Sequence, residues 1–164
     1  MPINESEFNI ADLVNKIEDE IDRTLEERNK DKYFEQVVLI YSLIENILKW
    51  LVFVKIMWEK SDRLRSDKEI ESVRKYCKDL SFLNAQRTAL VLDIIDLRLY
   101  RRIDDARKER NDAIHQFWLY AHRGNNFVLR KKLEKLARLA SDIIDRVNDL
   151  VTEIGVEEVL SLEL

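Results

Sequence analysis

Arg110, Asn111 and His115 fall within one run, Arg110-Asn111-Asp112-Ala113-Ile114-His115. A guanidinium can hold and neutralise phosphoryl oxygens while an imidazole moves a proton, so the pair suits a phosphodiester. On a helix Asn111 and His115 are four apart and share a face, where the amide can fix the imidazole tautomer. Arg110 is five residues before His115, about 140° round the helix, so only its long side chain could bring the guanidinium near the ring. Arg107 and Lys108 add positive charge about one turn earlier and are candidate substrate-binding residues. The plain alternative makes Arg110 one half of an ion pair and His115 a partly buried core histidine. The residues three and four away from Arg110 are Ala106, Arg107, Ala113 and Ile114, so a partner acid would have to come from another helix.

Other chemistries have less to stand on. Asp112-x-x-His115 occurs once, and Asp93-x-x-Asp96 and Asp142-x-x-Asp145 are spacings that an acid-rich chain produces by chance. Helical metal-carboxylate sites need several inward carboxylates with paired Glu-x-x-His motifs, so no metal is expected. Cys77 has no histidine near it in sequence and reads as a packed, inert thiol; as the single cysteine it excludes an internal disulfide. No glycine-rich phosphate loop is present, and no cofactor is expected.

The elements that must position the run are helical. Two glycines and one proline in 164 residues leave almost no turn chemistry for a β-rich fold. The expected fold is all-α: one domain over 1–164, an up-and-down bundle of four to six helices, with its core at about 5–153 and a tail at 156–164. A first helix spans about Glu5 to Arg28, and a second runs from about Lys32 to Lys60 and holds the most apolar stretch. Its length invites a membrane reading, but Glu45, Asn46, Lys49 and Lys55 would be costly in hydrocarbon. The centre of a bundle, or a face shared with a second subunit through Trp50, Phe53 and Trp58, is the simpler reading. After a polar stretch at Ser61 to Ser66, a short helix runs from about Asp67 to Lys78. Ser81 caps a segment ending at Val91 or Asp93, and a bend follows near Asp93-Ile94-Ile95-Asp96. The helix carrying the run starts at Leu97 and reaches about His122, Gly124 suits a turn, and a last helix spans Val128 to Glu153 before Gly155. A net charge of −4 neither demands nor excludes RNA. The N-terminus lacks a signal-peptide pattern, so a cytoplasmic protein with no membrane partner is expected.

Arg110, Asn111 and His115 resemble the motif of the HEPN (higher eukaryotes and prokaryotes nucleotide-binding) domain family: Arg, often Asn directly after, then His after four to six residues. The wider layout is similar from about Tyr33 to Leu150, with Glu45 near the middle of a long apolar helix, then Leu80-Ser81-Phe82-Leu83, then Leu97 to Tyr100 leading into the motif helix. The resemblance implies a bundle that forms a homodimer and brings two motifs together, and for active members a metal-independent endoribonuclease. It implies His115 as general base or acid for 2′-hydroxyl attack, Arg110 stabilising the phosphorane-like transition state, and Asn111 positioning the imidazole. Products would carry a 2′,3′-cyclic phosphate and a 5′-hydroxyl. A toxin or defence role with a cognate antitoxin protein is one form of the family. A non-catalytic module binding RNA, nucleotide or protein is the other reading. Phe117 stands where a Tyr is common in the toxin branch, which puts that subfamily and its Tyr modification in doubt.

Overall fold

A computed structural model describes residues 15, 19, 22, 23, 33–60, 66–115 and 126–155, with side chains for 15, 19, 22, 23, 35–60, 66–111 and 130–155. The described residues form five α-helices and no strand: α1 Tyr33–Lys60, α2 Asp67–Asp79, α3 Phe82–Val91, α4 Leu97–His115 and α5 Asn126–Ile154. Asn15, Asp19, Asp22 and Arg23 are also helical, inside the expected first helix, whose remainder lies outside the described residues. So do the 61–65 stretch, the motif helix beyond His115, the Gly124 turn, Phe117 and the tail.

The bundle is built around α1, which touches all four other helices and packs most extensively on α5. Ile40, Ile44, Ile47, Leu48, Leu51, Val52, Phe53 and Val54 are each no more than 1% exposed, so the middle of α1 is enclosed nearly all round. Each such side chain contributes roughly 1.5–3 kcal/mol relative to exposure. Among the described helices α1 has the length and apolarity to cross a membrane, and here its apolar side chains form the bundle's own core. Trp50 and Phe53 belong to that core, which leaves Trp58 exposed and removes two of the three aromatics expected to offer a shared face. From α5, Leu133, Leu136, Leu139, Ala140, Ile143, Val147 and Leu150 pack against α1 in the expected three-and-four spacing.

The connections are set by short polar side chains. Ser66 caps α2 in a reciprocal box: its Oγ accepts from the Glu69 N–H, and its own N–H donates to Glu69 Oε2 at 3.1 Å. Ser81 caps α3 as expected, its Oγ accepting from the Asn84 N–H at 3.3 Å. The bend before α4 is a helix stop of the Schellman kind, with Ile94 N–H donating to Ala89 O and Asp93 N–H to Leu90 O. Asp93 takes the left-handed position (φ 55°) that glycine usually fills, and a short polar residue tolerates it. The turn drives Ile94 and Ile95 into the core, and Asp96 Oδ1 accepts from the Leu99 N–H at 2.7 Å to start α4. Gln86, fully buried in α3, donates to Tyr100 O at 2.8 Å and ties α3 to α4. Together these fix the rotation of α4, which carries the motif.

Candidate active site

On α4 the buried row is Leu99, Ile103 and Ala106, and the next position in that four-three-four spacing is Arg110. The helix therefore directs the Arg110 stem toward the bundle. Its Nη1 lies 3.6 Å from Glu45 Oε2 of α1, with about a quarter of each side chain exposed (28% and 21%). The other Glu45 oxygen lies 3.0 Å from Lys49 Nζ, one turn further along α1. Arg110 thus has an acid from another helix, as the absence of carboxylates at its own three- and four-residue neighbours requires. At 3.6 Å the contact is an ion pair rather than a hydrogen bond, and the Arg110 Nε–H is buried with no acceptor among the described residues.

The two flanking cations are also occupied. Asp104 Oδ1 lies 2.8 Å from Arg107 Nη2, and its Oδ2 lies 2.7 Å from Lys108 Nζ, so one carboxylate clamps both side chains along one face of α4. The hydrogen bonds from Lys108 and then Arg107 hold the Asp104 carboxyl below its ordinary value, and Asp104 in turn raises the Lys108 amine. Arg107 keeps a buried Nε–H with no acceptor among the described residues. The local field is therefore less positive than three cations imply, because Asp104 and Glu45 offset it. Asp104 was legible: it stands three residues before Arg107 and four before Lys108, the spacing of intrahelical pairs. Glu45 was visible as the one acid within the apolar stretch 37–54 of α1, but its contact with Arg110 needed the packing of α4 on α1.

Asn111 is exposed on α4 and is the neighbour of Arg110 in sequence but not in environment. His115 is the last described residue of the helix, and its imidazole lies outside the described side chains. The structure thus places Arg110, Asn111 and the His115 backbone on one helix and joins Arg110 to Glu45. Among the described residues no group of three or more His, Cys, Asp or Glu side chains is placed to hold a metal ion. Cys77 is fully buried, and burial pushes its thiol up to about 11, so little of it is thiolate near neutral pH.

Chemically, the arrangement offers a guanidinium anchored on its inner side by a carboxylate and, beside it on the same helix, the exposed amide of Asn111. A scan against protein-family models, a search of curated proteins and a search of solved structures each return no match.

Proposed function

We propose that this protein is a metal-independent endoribonuclease of the HEPN type, a toxin or defence component working as a homodimer in the cytoplasm. The observation that carries the reading is the placement of Arg110, Asn111 and His115 on one helix, with Arg110 anchored to Glu45 across the bundle. Anchoring matters because a preorganised cation stabilises developing phosphoryl charge without reorganising during the reaction. In this reading His115 takes the proton from the 2′-hydroxyl or returns it to the leaving oxygen, and Arg110 offsets charge on the phosphorane-like transition state. Asn111 orients the imidazole. Arg107 and Lys108 bind flanking phosphates, exchanging part of their contact with Asp104 for RNA oxygens. A cognate antitoxin would act by covering this stretch of α4.

The second reading is a non-catalytic module that binds RNA, nucleotide or protein. It is favoured by the same ion pairs, since Glu45 and Asp104 already neutralise much of the cationic charge. One assay separates the two. Purified protein is incubated with structured and unstructured RNA in EDTA. The ribonuclease reading expects cleavage to 2′,3′-cyclic phosphate and 5′-hydroxyl ends, with His115→Ala reducing the rate about 10²–10⁴-fold. Cleavage that needs a divalent metal, or that survives His115→Ala, removes it. Tight RNA binding without turnover selects the module.

A further inference from the structure

Two exposed arginines, Arg87 on α3 and Arg101 on α4, make no ion pair among the described residues. Most other cations of α4 do: Arg102 meets Asp142, Arg107 and Lys108 share Asp104, and Arg110 meets Glu45. Each of the two has a local reason to stay unpaired. α3 contains no acidic residue. On α4 the acids three and four residues from Arg101 are Asp104 and Asp105. Asp104 commits one oxygen to Arg107 and the other to Lys108. Asp105 follows Arg101 by four, and a cation ahead of its acid is the weaker order for a helical pair.

The fold brings the two to one groove. Gln86 and Tyr100 stand seven residues before and after the Asp93 turn, and the bond between them shows that α3 and α4 run back along each other. Arg87 and Arg101 each come one residue after that bonded pair, so they are level on neighbouring helices. Arg102 and Glu109 turn to Asp142 and Lys135 of α5, which puts α5 on one flank of α4 and α3 on the other. Arg101 falls on the α3 flank, outside the buried row Leu99, Ile103 and Ala106. Seven-residue steps return nearly to the same side of a helix. Arg101, Lys108 and the His115 backbone position therefore form one line along α4, with steps of roughly 10 Å and roughly 21 Å from end to end.

We infer, resting on the reading of the Arg110–His115 run as an RNA site, that the outer groove between α3 and α4 carries the RNA strand away from that run, with Arg101 and Arg87 each binding a phosphate. A guanidinium presents paired N–H groups that match phosphoryl oxygens, and these two have no carboxylate to give up first. Contacts of this kind fix the course of the strand and read no bases, so the groove takes single strands of any sequence. Binding through it releases counterions and weakens as salt rises. The groove lies beside the candidate catalytic residues rather than among them, so its loss acts on affinity and not on the chemical step.

Fluorescence anisotropy with a mixed-sequence single-stranded RNA of about 12 nucleotides, in EDTA over a salt series, tests it. The full chain carries His115→Ala to prevent turnover, and is compared with the same chain bearing Arg87→Gln/Arg101→Gln. The control is Lys68→Gln/Lys75→Gln, an equal loss of charge at exposed positions of α2, which packs on α1. The expected result is binding at least about tenfold weaker in the arginine variant, with the salt slope reduced by roughly 1.4, and little change in the control. Circular dichroism checks that each variant folds. Equal effects of the two double variants, no effect of the arginine pair, or no RNA binding at low salt overturns the inference. Cleavage kinetics without His115→Ala keep the two readings apart. Cleavage that needs His115 but keeps its KM in Arg87→Gln/Arg101→Gln removes the groove alone. Binding that needs the two arginines, with no cleavage by the unsubstituted protein, removes the ribonuclease alone.

Discussion

Asp104 shows how one carboxylate sets the behaviour of its neighbours. It accepts from both Arg107 and Lys108, and those bonds keep its carboxyl below its ordinary value of 3.8. A folded-state value lower than the unfolded one contributes stability above the unfolded value, and that contribution is lost as pH falls through the folded value. Asp104→Asn is therefore expected to lower stability at neutral pH and to flatten the fall in stability below about pH 4, read from denaturant midpoints across an acid series. The raised Lys108 amine is the other side of the same pair, whose stabilisation is present below the ordinary 10.5 of the amine and is lost as pH rises through its folded value. The Glu45–Arg110 pair is of another kind. It joins two helices distant in sequence, and removing Glu45 leaves the largely buried Arg110 guanidinium without its acid, whereas removing Arg110 leaves Glu45 paired with Lys49.

Among the elements, α4 is the one whose placement decides the site, and its start is the most exposed to test. Asp93 stops α3 in a left-handed turn, Ile94 and Ile95 anchor the corner in the core, and Asp96 caps α4. Asp96→Ala removes an acceptor for the first turn of α4 and is expected to cost about 1 kcal/mol, measured by chemical denaturation. Most of this punctuation was readable from sequence. Ser81 as a cap, the bend at 93–96 and the start of α4 at Leu97 depend on hydrogen bonds within a few residues of each other. The reason for the bend was less visible, because a left-handed aspartate carries no signature as plain as glycine. The reciprocal box at Ser66 shows the same limit: the polar stretch before α2 was evident, but not that its last residue was the cap.

At the scale of the whole molecule, stability rests on α1. Leu51 is fully buried at the centre of the helix that all others touch, and Leu51→Ala is expected to cost about 2–5 kcal/mol, seen as a lower denaturant midpoint. That is a large share of the roughly 5–15 kcal/mol typical of a domain, so the variant should approach unfolding at physiological temperature. The same enclosure explains why the long apolar helix is not free to serve as a broad shared face: Trp50 and Phe53 are spent inside the chain.

The amino-acid sequence by itself determined that this chain is all-α, where α2, α3 and α4 begin, and that Arg110, Asn111 and His115 share one helix. Those features follow from glycine and proline scarcity, a 3.6-residue period and short-range caps, all of which act over a dozen residues or fewer. It also determined that any acid for Arg110 had to come from another helix. Only the tertiary structure decided which one. Glu45 meets Arg110 because the Gln86–Tyr100 bond and the Ile94–Ile95 corner set the rotation of α4 against α1. No local pattern records that rotation, since it is the outcome of packing several helices around one core.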